Sequence, residues 1–537
     1  MSLQIQDLSY THPNRDILFQ NITFSVSAGE KCAVVGNNGV GKSTLLKIIA
    51  GLLSPASGSI SFDDIPYIIP QHFGQFDEMT VAQALGIEGK LNALSRLLDG
   101  IGSENDFETL DNEWDLQDRM AEAFARWRID YICPEMYMRN LSGGEKTKVF
   151  LAGLDIFTPS IVLMDEPTNH LDTGGRDLLY DYISRAGGSL IVVSHDRTLL
   201  NLLPEIYEMS PTGMQFYPMG YDEYKATVDA AFEAKSARLE SQRKEFAKAE
   251  KAARKTVERQ QKHASRGEKQ TAKKCVARIA EGNLRDQSES TTARLDKVQQ
   301  EKLASMKRDL HELRLTVNEH SSIKIDLGSS SLHLNKRLVE IKNVTFKYGG
   351  RPVMWEEAPL NLTIFSGERI RIQGDNGSGK STLLKLICGT LHPSSGELYR
   401  SEPLNILYLD QEYSCIDNDL TVYGQLEACT SRKPEHELKI LLNRFLFTPP
   451  TWDKKCGSLS GGEKMKLALC RLLVCDNAPD LIIADEPTNN IDISSMDILA
   501  ATLKSYEGTL LVVSHDEHFI RDVGIERAIK LLNAQAE

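Results

Sequence analysis

Four short motifs occur twice in this chain, in the same order. GNNGVGKSTLL starts at Gly36 and GDNGSGKSTLL at Gly374; LSGGEK starts at Leu141 and again at Leu459; DEPTNHLD at Asp165 returns as DEPTNNID at Asp485; and VVSHD ends at Asp196 and Asp516. The offset between copies is 338 residues at Lys42 and Lys380 and 320 at Asp165 and Asp485. So long a period marks a duplicated domain, since solenoid and propeller repeats recur every ~20–50 residues. The 537 residues then divide into 1–220, 221–322 and 323–537, with the two copies at the ends. Ser142 follows Gln71 by 71 residues but Ser460 follows Gln411 by 49, so the first copy carries 22 additional residues there. They fall in LNALSRLLDGIGSENDFETLDNEWDLQDRMAEAF, whose helical apolar spacing is interrupted by the Gly, Ser and Asn cluster at 100–105. A longer helical lid and a dedicated binding arm both fit that pattern.

The middle segment has another composition. No proline lies between Pro218 and Pro352, and the stretch is rich in Ala, Glu, Lys, Arg and Gln, which favour helix. Phe232, Leu239, Phe246 and Ala253 are seven apart, while Leu295, Val298, Met306, Leu310, Leu313 and Val317 follow three/four spacing. Two long amphipathic helices are predicted, paired as an antiparallel hairpin with its tip between about His263 and Glu289. Residues 231–320 carry 22 basic and 14 acidic side chains, against a whole-chain net charge of −13. A charge run of this kind can be a solvated helix face. Concentrated on a rod beside an acidic body, it suits phosphate neutralisation better, and RNA contact at the tip is expected.

The repeated motifs carry the chemistry. Gly36, Asn37, Asn38, Gly39, Val40, Gly41, Lys42, Ser43 and Thr44 fit G-x-x-x-x-G-K-[ST] between an apolar strand and a helix. Gly374, Asp375, Asn376, Gly377, Ser378, Gly379, Lys380, Ser381 and Thr382 repeat the pattern. Backbone N–H groups of such a loop turn onto phosphate oxygens, the lysine adds a point charge, and Ser43 or Ser381 offers a hydroxyl to Mg²⁺. SIVLMDEP and LIIADEP each read as a buried strand ending in two carboxylates. The first, Asp165 or Asp485, is placed to hold Mg²⁺ through water, and the second, Glu166 or Glu486, to polarise an attacking water. His195 and His515 end another apolar strand, each 30 residues beyond its aspartate, within reach of a γ-phosphate. Ser142, Gly143 and Gly144, like Ser460, Gly461 and Gly462, open a helix and supply a second anion site in each copy.

In this order the motifs resemble those of ATP-binding cassette domains, whose two halves pack head to tail with ATP between them. The resemblance implies an α/β fold of two tandem cassettes of the P-loop NTPase class joined by an α-helical antiparallel hairpin. It implies that Ser460 and Gly462 complete the site at Lys42, and Ser142 and Gly144 the site at Lys380. It places Gln71 and Gln411 near metal and water, and Tyr10 and Tyr348 against adenine. Both copies keep Lys, Ser, Asp, Glu and His, so two hydrolysis-competent sites using ATP and Mg²⁺ are expected. Glu145 and Glu463 stand where Gln is frequent, outside the serine and glycine contacts.

Tandem cassettes, EPTN followed by HLD or NID, and a basic linker of about 100 residues together resemble the ABC-F proteins over almost the whole chain. What that family implies is binding in the tRNA exit site of the ribosome in the ATP state, with the linker directed to ribosomal RNA and peptidyl-tRNA. Hydrolysis then releases the protein, in a translation-factor or antibiotic-protection role. The two copies satisfy each other's interface, so a monomer is expected. No apolar run approaches the ~20 residues of a membrane span, and the N-terminal MSLQIQDLSY has no signal-peptide pattern, which points to the cytoplasm and to no membrane partner. Nine cysteines without a C-x-x-C pair support neither a zinc ribbon nor an iron-sulfur cluster. The alternative, the ATPase subunit of an importer with separate membrane subunits, leaves the basic rod unexplained.

Overall fold

The structure, a computed structural model, describes residues 3–13, 15–271, 297, 301–310, 335–349, 353–411, 413–430, 432–475, 478–489 and 491–531. It divides into two compact units, one formed by Met1–Tyr221 with Ile323–Glu537 and the other by Asp222–Ser322.

In the first unit each copy has a central parallel sheet. In copy one the strands are β1 (Leu3–Thr11), β2 (Ile17–Val26), β3 (Lys31–Val35), β4 (Ser57–Ser61), β5 (Tyr67–Ile69), β6 (Ile161–Asp165), β7 (Ser189–Val193), β8 (Glu205–Ser210) and β9 (Gly213–Tyr217). They form a six-stranded sheet in the order β5-β6-β7-β3-β8-β9 and an antiparallel sheet β2-β1-β4. Copy two has β10 (Arg337–Lys347), β11 (Val353–Met354), β12 (Leu360–Phe365), β13 (Arg369–Gln373), β14 (Ser395–Arg400), β15 (Ile406–Leu409), β16 (Leu481–Asp485), β17 (Thr509–Val513) and β18 (Arg527–Lys530). Its parallel order β15-β16-β17-β13-β18 repeats the first five strands of that sheet, β5-β6-β7-β3-β8.

Every residue of β6, β7, β16 and β17 is buried, because helices and the second sheet cover both faces, and continuous apolar runs result. Leu163, Ile191 and Val34 are fully buried and share one core, at about 1.5–3 kcal/mol for each side chain. That order fixes the site. β3, β7 and β6 are parallel neighbours, so the phosphate loop, His195 and the Asp165–Glu166 pair leave adjacent strands at one edge. β13, β17 and β16 do the same in copy two.

The 22 additional residues of copy one lie among the helices Glu88–Leu98, Glu104–Leu110 and Leu116–Arg126. The expected break falls at Asp99 to Ser103, with Arg96 paired to Asp106 across it. Arg119 and Lys90 both bond Glu113, fixing the bundle's far end.

In the second unit one helix runs through 51 residues, Tyr221–Thr271. Val228, Phe232, Leu239, Phe246 and Ala253 are half-buried while their neighbours are mostly exposed, so the seven-residue seam lies along one face. At 1.5 Å per residue the helix extends about 75 Å. It continues through Gly267, beyond the expected start of the tip at His263; one glycine costs about 1 kcal/mol, and the flanking Arg, Glu, Lys and Gln are strong helix formers. Residues 301–310 are helical, with Met306 and Leu310 half-buried. Leu295, Val298, Leu313, Val317 and the rest of the tip lie outside the described residues. Among the described residues no helix is long and apolar enough to cross a membrane.

Candidate active site

At the edge of the first parallel sheet, the loop from Gly36 wraps around Lys42, whose ammonium donates to the carbonyls of Gly36 at 2.7 Å and Asn37 at 3.1 Å. Lys380 repeats this on Gly374 at 2.6 Å and Asp375 at 3.2 Å. Gly41 and Gly379 cap the following helices at φ 105° and 94°, a region that other residues rarely adopt. Ser43 Oγ donates to Asp165 Oδ1 at 3.1 Å, bringing the predicted metal-binding pair together. In copy two Asp485 Oδ2 accepts from Tyr408 OH at 3.0 Å.

Glu166 and Glu486 have φ of 50° and 48°, held there by bonds from their N–H groups to Val193 O and Val513 O, each 2.8 Å. A non-glycine residue in this left-handed region carries strain of about 1–3 kcal/mol, and here it recurs at the residue that sequence reasoning assigns to water activation. Glu166 Oε2 accepts from the His195 N–H at 3.2 Å, while Oε1 has no hydrogen-bond partner among the described residues and lies 3.4 Å from His195 Nε2. In copy two Glu486 Oε1 is 3.3 Å from His515 Nε2, and Oε2 has no hydrogen-bond partner among the described residues. Burial, with Asp165 or Asp485 adding like charge, raises the proton affinity of both glutamates well above the carboxylate range. Burial and the neighbouring lysine push both histidines down, so each is a neutral hydrogen-bonding group near pH 7. Burial likewise lowers Lys42 and Lys380 against the raising effect of the carboxylates around them.

The second anion motifs face the opposite copy. Ser460 and Gly461 line a cavity of about 520 Å³ together with Asn38, Gly39, Gly41, Lys42, Ser43, Thr44, Gln71, Asp165, Glu166 and His195. Ser142, Gly143 and Gly144 line one of about 170 Å³ with Asn376, Gln411, Glu486 and His515. A Cβ on Gly144 would come 2.6 Å from His170 O and 3.0 Å from Asn376 Nδ2, so this approach needs glycine. Asn38 N–H donates to Asp492 at 3.3 Å, Asn376 Nδ2 to His170 O at 3.0 Å, and Thr173 Oγ1 meets His515 Nδ1 at 3.2 Å. Arg197 pairs with both Asp497 and Asp522 of copy two. Glu145 and Glu463 close capping boxes with Ser142 and Ser460, an N-terminal role for the glutamate at that position.

The two tyrosines expected against adenine differ in their surroundings. Tyr10 packs against the core, its ring edge-on to His12 at 5.6 Å, and the cavity wall is His12 with Leu18. Tyr348 meets Thr382 Oγ1 at 3.3 Å, close beside its phosphate loop. Sequence reasoning missed His12 and His72 in the larger cavity, and His170, Arg176 and Asn489 in the smaller. His72 and His170 neighbour assigned residues; Arg176 belongs to no motif.

The geometry is that of paired phosphate sites, each built from both copies. The chain matches the ABC transporter family over residues 19–169 and 358–489. It is 30% identical to ATP-binding protein YdiF of Bacillus subtilis, over 100% of this chain and 81% of that protein. The chain belongs to the ABC-F group of tandem ATP-binding cassette proteins. ABC transporter F family member 5 of Arabidopsis thaliana is 28% identical, covering 96% of this chain and 72% of that one. ATP-binding protein Uup of Escherichia coli is 29% identical, covering 94% and 76%. Among solved structures, an archaeal ribosome recycling factor, aABCE1, in complex with ribosomal stalk protein aP1, aligns with TM-score 0.58 at 20% identity, over 98% of this chain and 87% of that one. The likeness to that structure is one of fold. As an ABC-F protein the chain is an ATP hydrolase, and its two cassettes bind ATP.

Proposed function

We propose that this ABC-F ATPase binds the ribosome in its ATP state, at the tRNA exit site with the linker directed to ribosomal RNA and peptidyl-tRNA, and leaves when ATP is hydrolysed. The observation that carries the reading is a long basic helix joined to two complete ATP sites. From Arg243 to Arg278 the sequence has 13 basic and 4 acidic residues, a density suited to RNA phosphates. Lys255 and Arg259 are exposed on that helix. A solved neighbour described as ribosome-bound archaeal Pelota and ABCE1, TM-score 0.55, is consistent with it.

In the proposed cycle Lys42 and the loop N–H groups hold the β- and γ-phosphates of one ATP, and Ser460 with Gly462 closes on it from the other cassette. Lys380 and Ser142 with Gly144 do the same for the second. Ser43, Asp165 and Gln71, with Ser381, Asp485 and Gln411, are hard oxygen donors suited to Mg²⁺. Phosphate oxygens and water would complete the shell of an ion held by those donors. Mg²⁺, when bound, neutralises charge on the transferred phosphoryl group. Glu166 and Glu486 orient the attacking water, and His195 and His515 hydrogen-bond the γ-phosphate. Loss of that phosphate removes what the opposite serine and glycines grip, and the cassettes part.

Replacing Arg254, Lys255, Arg259 and Lys262 together by Glu tests the reading through ribosome affinity at several salt concentrations. Affinity is expected to fall by at least about tenfold and its salt dependence to flatten. Wild-type affinity with unchanged salt dependence would contradict the assigned contact. A role in translation or in protection from ribosome-directed antibiotics is the functional consequence proposed.

A further inference from the structure

One buried arginine stands at the junction of the two sites, and the repeat does not supply its equal. Helices Thr173–Arg185 and Ile493–Ser505 are equivalent, each capped by an aspartate, Asp172 or Asp492. Four residues after the cap the first copy has Arg176 and the second Met496. Four further on, Tyr180 stands against Ala500. Arg176 is only 9% exposed. Its Nη1 donates to Asp196 Oδ2 at 3.3 Å, its Nε to Leu171 O at 3.3 Å, and Tyr180 OH donates to the same Asp196 oxygen at 2.5 Å.

Arg176 also lines the smaller nucleotide cavity together with Glu486 and His515 of the other cassette, and its charge is felt by both of them and by Asp516. It also lines a cavity of about 20 Å³ that Glu166, His195, Asn489 and Asp516 share. A buried cation is costly unless carboxylates surround it. Asp196 supplies one within its own cassette, and Asp516 and Glu486 supply others from the opposite one. Those lie beside it only while the cassettes are packed together. Met496 can give nothing equivalent to Glu166.

We propose that Arg176 is a positioning residue acting across the cassette interface, orienting Glu486 for hydrolysis at the Lys380 site and making the two ATP sites unequal. The inference rests on Glu166 and Glu486 being the hydrolytic carboxylates, which changing both to Gln together tests separately. One-sided assistance ties hydrolysis at the Lys380 site to cassette closure more tightly than at the Lys42 site.

The experiment is single-turnover hydrolysis of bound ATP by the full chain carrying either Glu166→Gln, which reports the Lys380 site, or Glu486→Gln, which reports the Lys42 site. Each is combined with Arg176→Met, Arg176→Gln and Arg176→Lys. At the Lys380 site, Met and Gln are expected to slow hydrolysis about tenfold or more, with the ATP dissociation constant changed less than about twofold, and Lys to restore the rate to within about threefold. At the Lys42 site the rate is expected to stay within about threefold. If Arg176 served only Asp196, next to His195, the Lys42 site would lose more; that outcome, equal losses at both sites, or an unaffected Lys380 site would overturn the proposal. Arg176→Gln keeps a donor for Asp196 and so retains the test if Arg176→Met fails to fold.

Discussion

Changing Glu166 and Glu486 together to Gln is expected to reduce steady-state ATP hydrolysis about a thousandfold while ATP remains bound. The glutamine keeps the volume, and a side-chain oxygen can still accept the His195 or His515 N–H that now meets the carboxylate. What it removes is the group that can attract a proton from water, a contribution of about 10²–10⁴ in rate. Phosphate release measured alongside nucleotide retention on a desalting column separates the two effects. Because each glutamate sits in a strained backbone position fixed by its own N–H, the substitution leaves the strand end in place. Hydrolysis at more than about a tenth of the wild-type rate would remove both glutamates from the role assigned to them.

Gly41→Val is expected to abolish ATP binding at the Lys42 site and to destabilise the chain by about 2–4 kcal/mol. The backbone there has φ 105°, and a Cβ would lie 2.8 Å from Phe19 Cδ1 and 2.9 Å from Leu18 Cδ2. Strain and collision therefore act together. Gly51→Ala is the control: φ is 73°, no described atom lies within 4 Å of the added methyl, and the residue lies outside the phosphate loop, so only conformational strain of about 1 kcal/mol is expected. Equilibrium dialysis should show ATP stoichiometry halved in the first variant and retained in the second. Full stoichiometry in Gly41→Val would mean that the loop does not hold phosphate as described.

The duplication made most of this fold legible. Each motif ends an apolar strand or opens a helix, and the parallel order β5-β6-β7-β3-β8 then brings the strand ends together. Lys42, Ser43, Asp165, Glu166 and His195 could be read as one site because their residue types perform one reaction. The pairing of Ser460 with Lys42 came from resemblance, since no local pattern says which copy a serine faces. Arg176 and Arg197 were not legible for the same reason. Arg197 pairs with Asp497 and Asp522 of the other copy, and Arg176, bonded to Asp196 of its own copy, meets Glu486 and His515 only through packing. Tyr10, near the end of β1, packs against the core, and His12, just past the strand, lines the cavity, a difference that strand alternation alone does not announce. The first linker helix ran further than expected because surrounding helix formers outweigh a single Gly267.

Two composite ATP sites are proposed to control attachment to the ribosome. This is tested most directly by sedimenting the Glu166→Gln, Glu486→Gln protein with ribosomes through a sucrose cushion, with and without ATP. The account predicts that the protein pellets with ribosomes only when ATP is present. ATP held by the protein with no co-sedimentation would contradict it and direct attention to a different partner for the basic helix.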